Sequence, residues 1–322
     1  MTVAIVIVNF RTPDLVCACL DSLADERLDF SDFKVFVGDA QSQDGSVEAI
    51  VGHIQNNGYS WACCSDNGAN NGFAAGNNIL LERYVLAVSG FKYVHFLNPD
   101  TYIRRGAIRS LVKAFEELPA AGVVGSRLEN PDGSPRSFGF RFPTPLREFF
   151  RGASISYLHR LWPWSTIAIQ NLTDRRQVDW VSGASFMVAR RVIDTVGLMD
   201  SRYFLYFEEV DYMFRIRAAG FEVWHEPNSC VVHIAGQSTG VRSGQMTVNP
   251  VSRHWLQSRW KFFSENYGVS RAILATILFL SGNLIYCVHR LVRLKTIENP
   301  PGLLRSYIRH GFSMPPARQA GP

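Results

Sequence analysis

The chain has 322 residues, of which 47% are hydrophobic and 19% are charged. This composition is typical of a globular protein with a large buried core, and it excludes a disordered or fibrous chain. The net charge is +5 at pH 7. The segment from His289 to the C-terminus holds six Lys and Arg residues and one acid, Glu298, so it carries the whole excess. A basic tail directly after an apolar stretch favours contact with a membrane surface.

The cysteines and the N-terminus bear on the cellular compartment. The chain has six cysteines, whose spacing fits neither a zinc site nor a small disulfide framework, so we expect thiols in a reducing environment. Residues 3–8 are apolar, but no basic region precedes them and polar residues follow at once, which argues against a secretory signal. We therefore expect the catalytic part on the cytoplasmic face of the inner or plasma membrane, and we expect no nucleic-acid partner.

Strands and helices alternate in the first part of the chain. The apolar run at 3–8 is rich in Val and Ile and predicts a strand buried on both faces of a parallel sheet. Further strands are predicted at 34–37, 61–64, 93–97 and 123–124, with helices at 15–23, 77–88 and 105–118. This alternation predicts a three-layer α/β sheet with right-handed crossovers.

The pattern changes after residue 130. Residues 131–145 are rich in Gly, Ser and Pro and predict a loop or hairpin, and weak periodicity continues to residue 176. We expect a mobile or substrate-shaping segment there. Regular patterns return at 178–188, with helices predicted at 191–196 and 207–219 and strands near 222–225 and 230–233.

Residues 272–288 form an apolar stretch of 17 residues, whereas a membrane-spanning helix needs roughly 20. The alternative is a C-terminal helix packed on the globular part. The basic residues that follow favour membrane attachment. We therefore divide the chain into a catalytic domain at 1–265 and an apolar helix with a basic tail at 266–322.

Polar residues follow three of the predicted strands, where ligands bind in open α/β sheets. These groups are Asn9-Phe10-Arg11, Asp39 and Asn98-Pro99-Asp100. Asp100 could be the single carboxylate that holds Mg²⁺ against diphosphate oxygens, or it could only form a turn with Asn98 and Pro99. His233 precedes a loop at 235–239 and could bind a metal or phosphate, although an isolated histidine is more often structural.

Glycines and asparagines are dense at 66–77, just before a predicted helix. Such a loop can bring backbone N–H groups to an anionic ligand at the helix N-terminus, or it can be an ordinary turn and cap. It matches neither the dinucleotide-binding fingerprint nor a phosphate-binding Walker loop, which argues against a dehydrogenase or a kinase-like enzyme.

Three carboxylates, Glu208, Glu209 and Asp211, crowd the first turn of the helix predicted at 207–219. Acids at a helix N-terminus interact favourably with the helix dipole, so stabilisation of the helix alone can explain their presence. Alternatively, one of them is a general base whose pKa is raised by like-charged neighbours.

Six motifs occur in a fixed order between residues 3 and 263. They are Val8-Asn9-Phe10 with the helix that follows, Asp39-Ala40-Gln41-Ser42-Gln43-Asp44-Gly45-Ser46, Asn71-Gly72-Phe73-Ala74-Ala75-Gly76-Asn77, Leu97-Asn98-Pro99-Asp100, Trp180-Val181-Ser182-Gly183-Ala184 and Tyr206-Phe207-Glu208-Glu209-Val210-Asp211. Together they resemble the family 2 inverting glycosyltransferases with a GT-A fold, especially the bacterial rhamnosyltransferase-like branch. The resemblance implies a three-layer α/β/α sheet that binds a nucleotide-sugar.

The resemblance also implies roles for single residues. Donor binding falls to Asn9, Phe10, Arg11, Asp39, Gln41, Asn71, Gly72, Phe73, Gly76, Asn77 and Asn98, acceptor contacts to Trp180, Gly183 and Ala184, and Mg²⁺ or Mn²⁺ binding to Asp100 with His233. Two positions depart from the family pattern. Position 40 is Ala where Asn is frequent, and the acidic pair usually written Glu-Asp is Glu208-Glu209. We favour Glu209 as the base and keep Glu208 and Asp211 as candidates.

The resemblance implies inverting transfer of a rhamnose-like sugar from a dTDP- or UDP-linked donor. The acceptor would be a lipid-linked saccharide or oligosaccharide in surface polysaccharide synthesis. Two alternatives stay open: a nucleotidyltransferase, which would release pyrophosphate, and a non-catalytic membrane-associated partner of a polysaccharide assembly complex.

Overall fold

The computed structural model describes residues 2–88, 90–154, 156–169, 172–234 and 250–312. The loop predicted at 235–239 lies outside these residues. The strands are β1 Val3–Asn9, β2 Phe33–Asp39, β3 Ala62–Asp66, β4 Tyr93–Leu97, β5 Thr101–Ile103, β6 Ala121–Glu129, β7 Gly139–Phe140, β8 Arg176–Gln177, β9 Trp180–Val181, β10 Ser185–Ala189 and β11 Glu222–His233. The helices are α1 Pro13–Glu26, α2 Ser46–Asn56, α3 Gly72–Leu80, α4 Ala107–Glu117, α5 Pro145–Ala153, α6 Ser156–Leu161, α7 Arg190–Val196, α8 Glu208–Ala218, α9 Arg253–Asn266, α10 Val269–Val292 and α11 Leu303–His310.

Most strands join one mixed sheet in the order β3-β2-β1-β4-β10-β6-β11-β5, with β8 beside β11. The first four strands in that order are parallel, and β10 runs antiparallel to both β4 and β6. The predicted α/β fold is therefore confirmed, although the sheet is mixed: β11 runs parallel to β6, whereas β5 and β8 run antiparallel to β11. The register places Asn9 opposite Asp39, so two predicted donor residues lie side by side at the sheet edge.

Helices cover both faces of the sheet. Phe33 packs edge-on against Trp61, with ring centroids 5.7 Å apart, on the face where the Arg27 guanidinium at the end of α1 also contacts it. Phe36 lies three residues further along β2 and therefore on the other face. Its ring stacks on Tyr84, which belongs to the single π-helical turn that follows α3. This arrangement is the predicted three-layer architecture.

Several elements differ from their predicted bounds, and two of them also differ in how they are built. The helix predicted at 77–88 begins at Gly72, ends at Leu80 and continues as the π-helical turn Leu81–Val85. The two strands predicted between 222 and 233 are one strand, β11, whose pairing with β6 shifts between Glu226 and Cys230. The polar residues in that stretch suggested a break, but the strand bends locally and continues.

The segment expected to be mobile or substrate-shaping contains a regular helix, α5, that packs against α10. The two helices approach closely at two glycines. A Cβ atom on Gly152 would lie 2.2 Å from the carbonyl oxygen of Phe279, and one on Gly282 would lie 2.1 Å from that of Phe149. Small residues on both sides therefore permit the contact, which the weak periodicity of this segment did not predict.

The apolar stretch near the C-terminus forms α10, which is longer than the 17 residues predicted. It has 24 residues, a length of about 36 Å at 1.5 Å per residue. Arg271 and Arg290 lie in its end turns, so counting only apolar residues understated its length. The mean hydropathy of its most apolar window is 1.8, and by length and composition alone it could cross a membrane.

Candidate active site

A buried hydrogen-bond network occupies the carboxyl ends of β1 and β2. The side-chain amide of Asn9 donates to Asp39 Oδ1 at 2.7 Å. The backbone N–H and hydroxyl of Ser42 donate to the two oxygens of the same carboxylate, at 2.8 and 2.7 Å. The backbone N–H and the hydroxyl of Thr12 both donate to the side-chain oxygen of Asn9, Oδ1. Asp39 therefore fixes the loop that begins the predicted nucleotide pocket, and it does so from a position that is only 2% exposed.

The loop residues beside this network have unusual backbone conformations. Arg11 and Gln41 have φ values of +57° and +54°, in the left-handed region that residues with a Cβ adopt at a cost. The backbone N–H of Arg11 donates to the Ser42 hydroxyl at 2.8 Å, which holds the two loops together. The Arg11 guanidinium lies 5.2 Å from the centre of the Phe10 ring. Gln41 and Arg11 are exposed, so both can reach a ligand.

The predicted donor loop at 66–77 is held against β1 and β2 by close contacts. Gly76 contacts Val8, because a Cβ atom there would lie 2.9 Å from Val8 Cγ1. Gly72 has a φ of +86°, and a Cβ atom there would lie 2.0 Å from the Phe204 carbonyl oxygen. That same carbonyl accepts from the N–H of Phe73 at 3.1 Å. The loop therefore joins the predicted nucleotide pocket to the segment that leads into α8.

Asn71 and Asn77 of this loop have different structural roles. Asn71 is the residue just before α3 and makes no side-chain capping bond. Asn77 is buried and donates to the Phe73 carbonyl within the helix. Of these two predicted donor residues, Asn71 therefore lies nearer to solvent, and Asn77 stiffens the first turn of α3.

Asp100 and His233 are brought together by the pairing of β5 with β11. His233 Nε2 lies 3.2 Å from Asp100 Oδ1, and Asp100 is 4% exposed. The Arg136 guanidinium donates to the His233 carbonyl oxygen at 3.0 Å. Burial lowers the pKa of Arg136, and the nearby Asp100 carboxylate acts in the opposite direction. The backbone N–H of Asn98 donates to the Ala184 carbonyl, which ties this corner to the predicted acceptor loop.

The pair fits a divalent cation shared with a substrate diphosphate. Among the described residues, no three His, Cys, Asp or Glu side chains gather into a complete metal site. Mg²⁺, however, is commonly held by one or two carboxylates together with phosphate oxygens and waters. Convergence of Asp100 and His233 at 3.2 Å supplies such a partial set of ligands.

Of the acidic residues at the start of α8, Glu208 and Asp211 are buried and Glu209 is partly buried. Glu208 is 6% exposed, and the Oε2 atoms of Glu208 and Glu209 are both buried without a hydrogen-bond partner in the described part of the chain. Burial raises the pKa of Glu209 to about 7. Burial, followed by the charge of Glu209, raises the pKa of Glu208 well above its ordinary value. Like charges were expected to be the main cause for the base, but for Glu209 the cause is burial.

Asp211 has a different environment from the two glutamates. Its carboxylate accepts from Arg215 Nε at 2.9 Å and from Asn266 Nδ2 at 3.0 Å. Tyr203 contributes its hydroxyl at 3.4 Å. These contacts join α8 to α9 and to the loop before α8. They favour an anchoring task for Asp211, although the sequence left it among the candidate bases.

The predicted acceptor residues lie between Glu209 and Asn98. A Cβ atom on Gly183 would lie 3.7 Å from Cδ of Glu209, so the carboxylate faces Gly183 across a space that would just hold one more carbon atom. Ala184 follows and is bonded to Asn98. The Trp180 ring stacks on Phe140 with centroids 4.1 Å apart. The short β7–β9 ladder thus presents this loop to the start of α8.

Sequence reasoning missed several residues that hold the site together. Ser42 lay inside a quoted motif, and its spacing from Asp39 could have indicated the hydrogen bonds. Arg136 and Asn266 gave no such signal, because each reaches the site from a segment distant in sequence.

Several known proteins resemble this chain in sequence or in fold. The chain is 31% identical over 230 residues to N-acetylglucosaminyl-diphospho-decaprenol L-rhamnosyltransferase of Mycobacterium tuberculosis, across 68% of this chain and 71% of that one. The mannosyltransferase PcManGT from Pyrobaculum calidifontis, solved with GDP-Man and Mn²⁺, superposes with a TM-score of 0.56 at 12% identity, across 92% of this chain and 76% of that one. GalNAc-T7, solved with UDP, GalNAc and Mn²⁺, gives 0.58 at 12% identity across 82% of this chain, which spans about half of that protein (48%).

These superpositions confirm the predicted GT-A fold. The profile described as Glycosyl transferase family 2 matches residues 4–195, which is more than half of the chain. That stretch contains the network around Asp39, the predicted donor loop, Asp100 and the predicted acceptor loop. The chain belongs to glycosyl transferase family 2.

Proposed function

We propose that this glycosyltransferase is inverting and metal-dependent, with Glu209 as its general base. The observation that carries the proposal is the environment of the Glu209 carboxylate. It faces the open space beside Gly183 in the predicted acceptor loop, one oxygen has no partner among the described residues, and burial raises its pKa to about 7. A general base is most effective when its pKa is close to the working pH.

In the proposed reaction, ionised Glu209 removes the proton of an acceptor hydroxyl, and that oxygen attacks the anomeric carbon as the bond to the diphosphate breaks. A single in-line displacement inverts the anomeric configuration. Asp100 and His233 would hold Mg²⁺ or Mn²⁺, whose charge stabilises a leaving diphosphate. Asp39 and Asn9 keep the nucleotide loop in place, since their hydrogen bonds order it before a ligand arrives.

We propose a dTDP- or UDP-linked donor carrying a rhamnose-like sugar, and a lipid-linked saccharide as acceptor. The name of the mycobacterial relative supports both a rhamnosyl donor and a prenyl-diphosphate acceptor. The proposed place of action is the cytoplasmic face of the membrane, in surface polysaccharide synthesis. Exposed apolar side chains along α10 and α11, among them Ile277, Leu284, Val288 and Ile308, support membrane attachment of the segment at 266–322.

A thermal-shift screen of nucleoside diphosphates and nucleotide-sugars, with and without Mn²⁺, tests the donor and metal assignments. A ligand that binds the folded protein raises its unfolding temperature by mass action. We expect a metal-dependent shift with a dTDP or UDP compound that Asp100→Ala loses. Asp29→Ala, which breaks a surface ion pair with Arg105, is the control and should keep the shift. Equal shifts in both variants would refute the assignment of Asp100.

A further inference from the structure

Two neighbouring cavities lie among α5, α9, α10 and α11. The first has a volume of about 620 Å³ and the second about 580 Å³. Asn283, Asn299, Pro300 and Leu303 line both of them, so the cavities adjoin along one wall. Together they form a groove, which we call the α10 groove. None of the residues assigned to donor, metal or acceptor binding lines it.

The first cavity is cationic. Arg151 and Arg290 line it, together with one carboxylate, Glu298. Arg290 pairs with Glu298 at 2.7 Å, whereas Arg151 shares the buried carboxylate of Glu148 with Arg259. Burial opposes ionisation of Glu148, but the two guanidiniums outweigh it and hold its pKa at about 2. Three guanidiniums thus meet two carboxylates in this cluster, which leaves an excess of positive charge suited to an anion.

The second cavity is apolar and opens beside the exposed face of α10. Leu280, Leu284 and Leu304 line it. Leu284 is 66% exposed and Leu304 is 59% exposed, so its rim continues the apolar surface proposed to contact the membrane. The α10 groove therefore has a cationic end and an apolar end, which is the pattern that an amphiphile with an anionic head would fill.

The cationic end lies next to the proposed catalytic turn. Tyr206 lines the first cavity and is two residues before Glu208. Trp255 also lines it, and its ring meets that of Phe207 edge-on with centroids 5.7 Å apart. The Arg151 guanidinium lies 4.8 Å from the centre of the same Trp255 ring. The Trp255 ring therefore contacts both Arg151 and Phe207, the residue that precedes α8.

We infer that the α10 groove binds the diphosphate and the first isoprenoid units of a prenyl-diphosphate-linked acceptor. Arg151 and Arg290 bind the diphosphate, and Leu284 and Leu304 contact the prenyl chain. The saccharide then extends past Tyr206 towards Glu209. This inference rests on the proposed function, because it names the site for the lipid part of the proposed acceptor.

Farnesyl diphosphate is a suitable probe, titrated into the full chain in neutral detergent and followed by calorimetry. UDP and Mn²⁺ are present throughout to fill the donor site. We expect Arg290→Gln to weaken farnesyl diphosphate binding at least about tenfold, since it removes a charge-assisted contact. Glu298→Gln releases Arg290 from its partner and is expected to strengthen binding, so the two variants move in opposite directions.

Leu284→Ser tests the apolar end. It should weaken farnesyl diphosphate binding about fivefold or more and leave binding of inorganic pyrophosphate unchanged. Leu291→Ser is the matched control, because Leu291 is similarly exposed on α10 but does not line the α10 groove. Equal effects of the two serine variants would overturn the inference, as would unchanged affinity in Arg290→Gln. Displacement of the probe by phosphatidylglycerol at equal concentration would overturn it too, since the site would then bind any anionic lipid.

The test of the lipid site can fail while the proposed function holds, and the proposed function can fail while the lipid site holds. Asp100→Ala should bind farnesyl diphosphate as the unaltered protein does, because Asp100 does not line the α10 groove. A protein that binds the probe in this way but transfers no sugar would leave the lipid site standing and refute the catalytic proposal. A protein that transfers sugar to acceptors without a lipid diphosphate, and ignores the probe, would do the reverse.

Discussion

The raised pKa of Glu209 predicts a steep dependence of the transfer rate on pH. With a pKa of about 7, about one tenth of the side chains are ionised at pH 6 and about nine tenths at pH 8, so kcat/KM, which depends on the ionisation of the free enzyme, should rise about tenfold between them. Glu209→Gln should lower kcat by about 10²- to 10⁴-fold, the usual contribution of general base catalysis. The assay is the initial rate at donor and acceptor concentrations below their KM values, from pH 5.5 to 8.5.

Glu209→Asp is the conservative variant, because it keeps the charge and shortens the reach. It should retain more activity than Glu209→Gln and keep a rise with pH. A rate independent of pH in the unaltered protein, or a Gln variant within a few-fold of it, would refute the assignment of Glu209 as base. The pH profile of Asp211→Asn would not test the assignment of the base. Asp211 accepts hydrogen bonds from Arg215 and Asn266, so its substitution is expected to affect folding.

Four further outcomes follow from the same contacts. As pH rises from about 4.5 to 7, the free energy of unfolding of the unaltered protein should fall relative to that of Glu209→Gln. The reason is that Glu209 keeps its proton in the folded state and has released it in the unfolded chain. If urea unfolding showed the same change with pH in both proteins, this would be contradicted. Gly72→Ala should cost about 3 kcal/mol or more, against about 1 kcal/mol for Gly68→Ala, whose Cβ has open space. Gly152→Ala should destabilise by about 2 kcal/mol by separating α5 from α10, whereas Gly52→Ala should stabilise α2 by up to about 1 kcal/mol. Asn9→Ala should cost about 1–3 kcal/mol and weaken nucleotide binding, measured by urea unfolding and titration.

The N-terminal half of the fold could be predicted because its strands are buried on both faces. Such strands are continuous apolar runs, and β4 was predicted with its observed bounds, Tyr93–Leu97. Because β1 and β2 are parallel neighbours, the polar residues at their carboxyl ends lie side by side. The hydrogen bond between Asn9 and Asp39 shows this. The convergence of Asp100 with His233 needed the pairing of β5 with β11, which the sequence did not indicate.

The C-terminal half depends on contacts between distant segments. The packing of α5 on α10 joins Gly152 to Gly282, and neither glycine differs in sequence from an ordinary loop or helix glycine. Burial of Glu209 likewise results from packing of α8 against β9 and the acceptor loop. Periodicity could place the acids on one helix turn, but it could not show which of them lacks a partner.

Direct analysis of the transfer product tests the central claim most sharply. The purified full chain is incubated with Mn²⁺, dTDP- and UDP-linked sugars of known anomeric configuration and a prenyl-diphosphate-linked saccharide, and the new glycosidic bond is examined by NMR. We predict transfer with inverted configuration, lowered at least about 10²-fold in Glu209→Gln and lost in Asp100→Ala. Retained configuration, release of pyrophosphate in place of a nucleoside diphosphate, or full activity of Asp100→Ala would contradict the account.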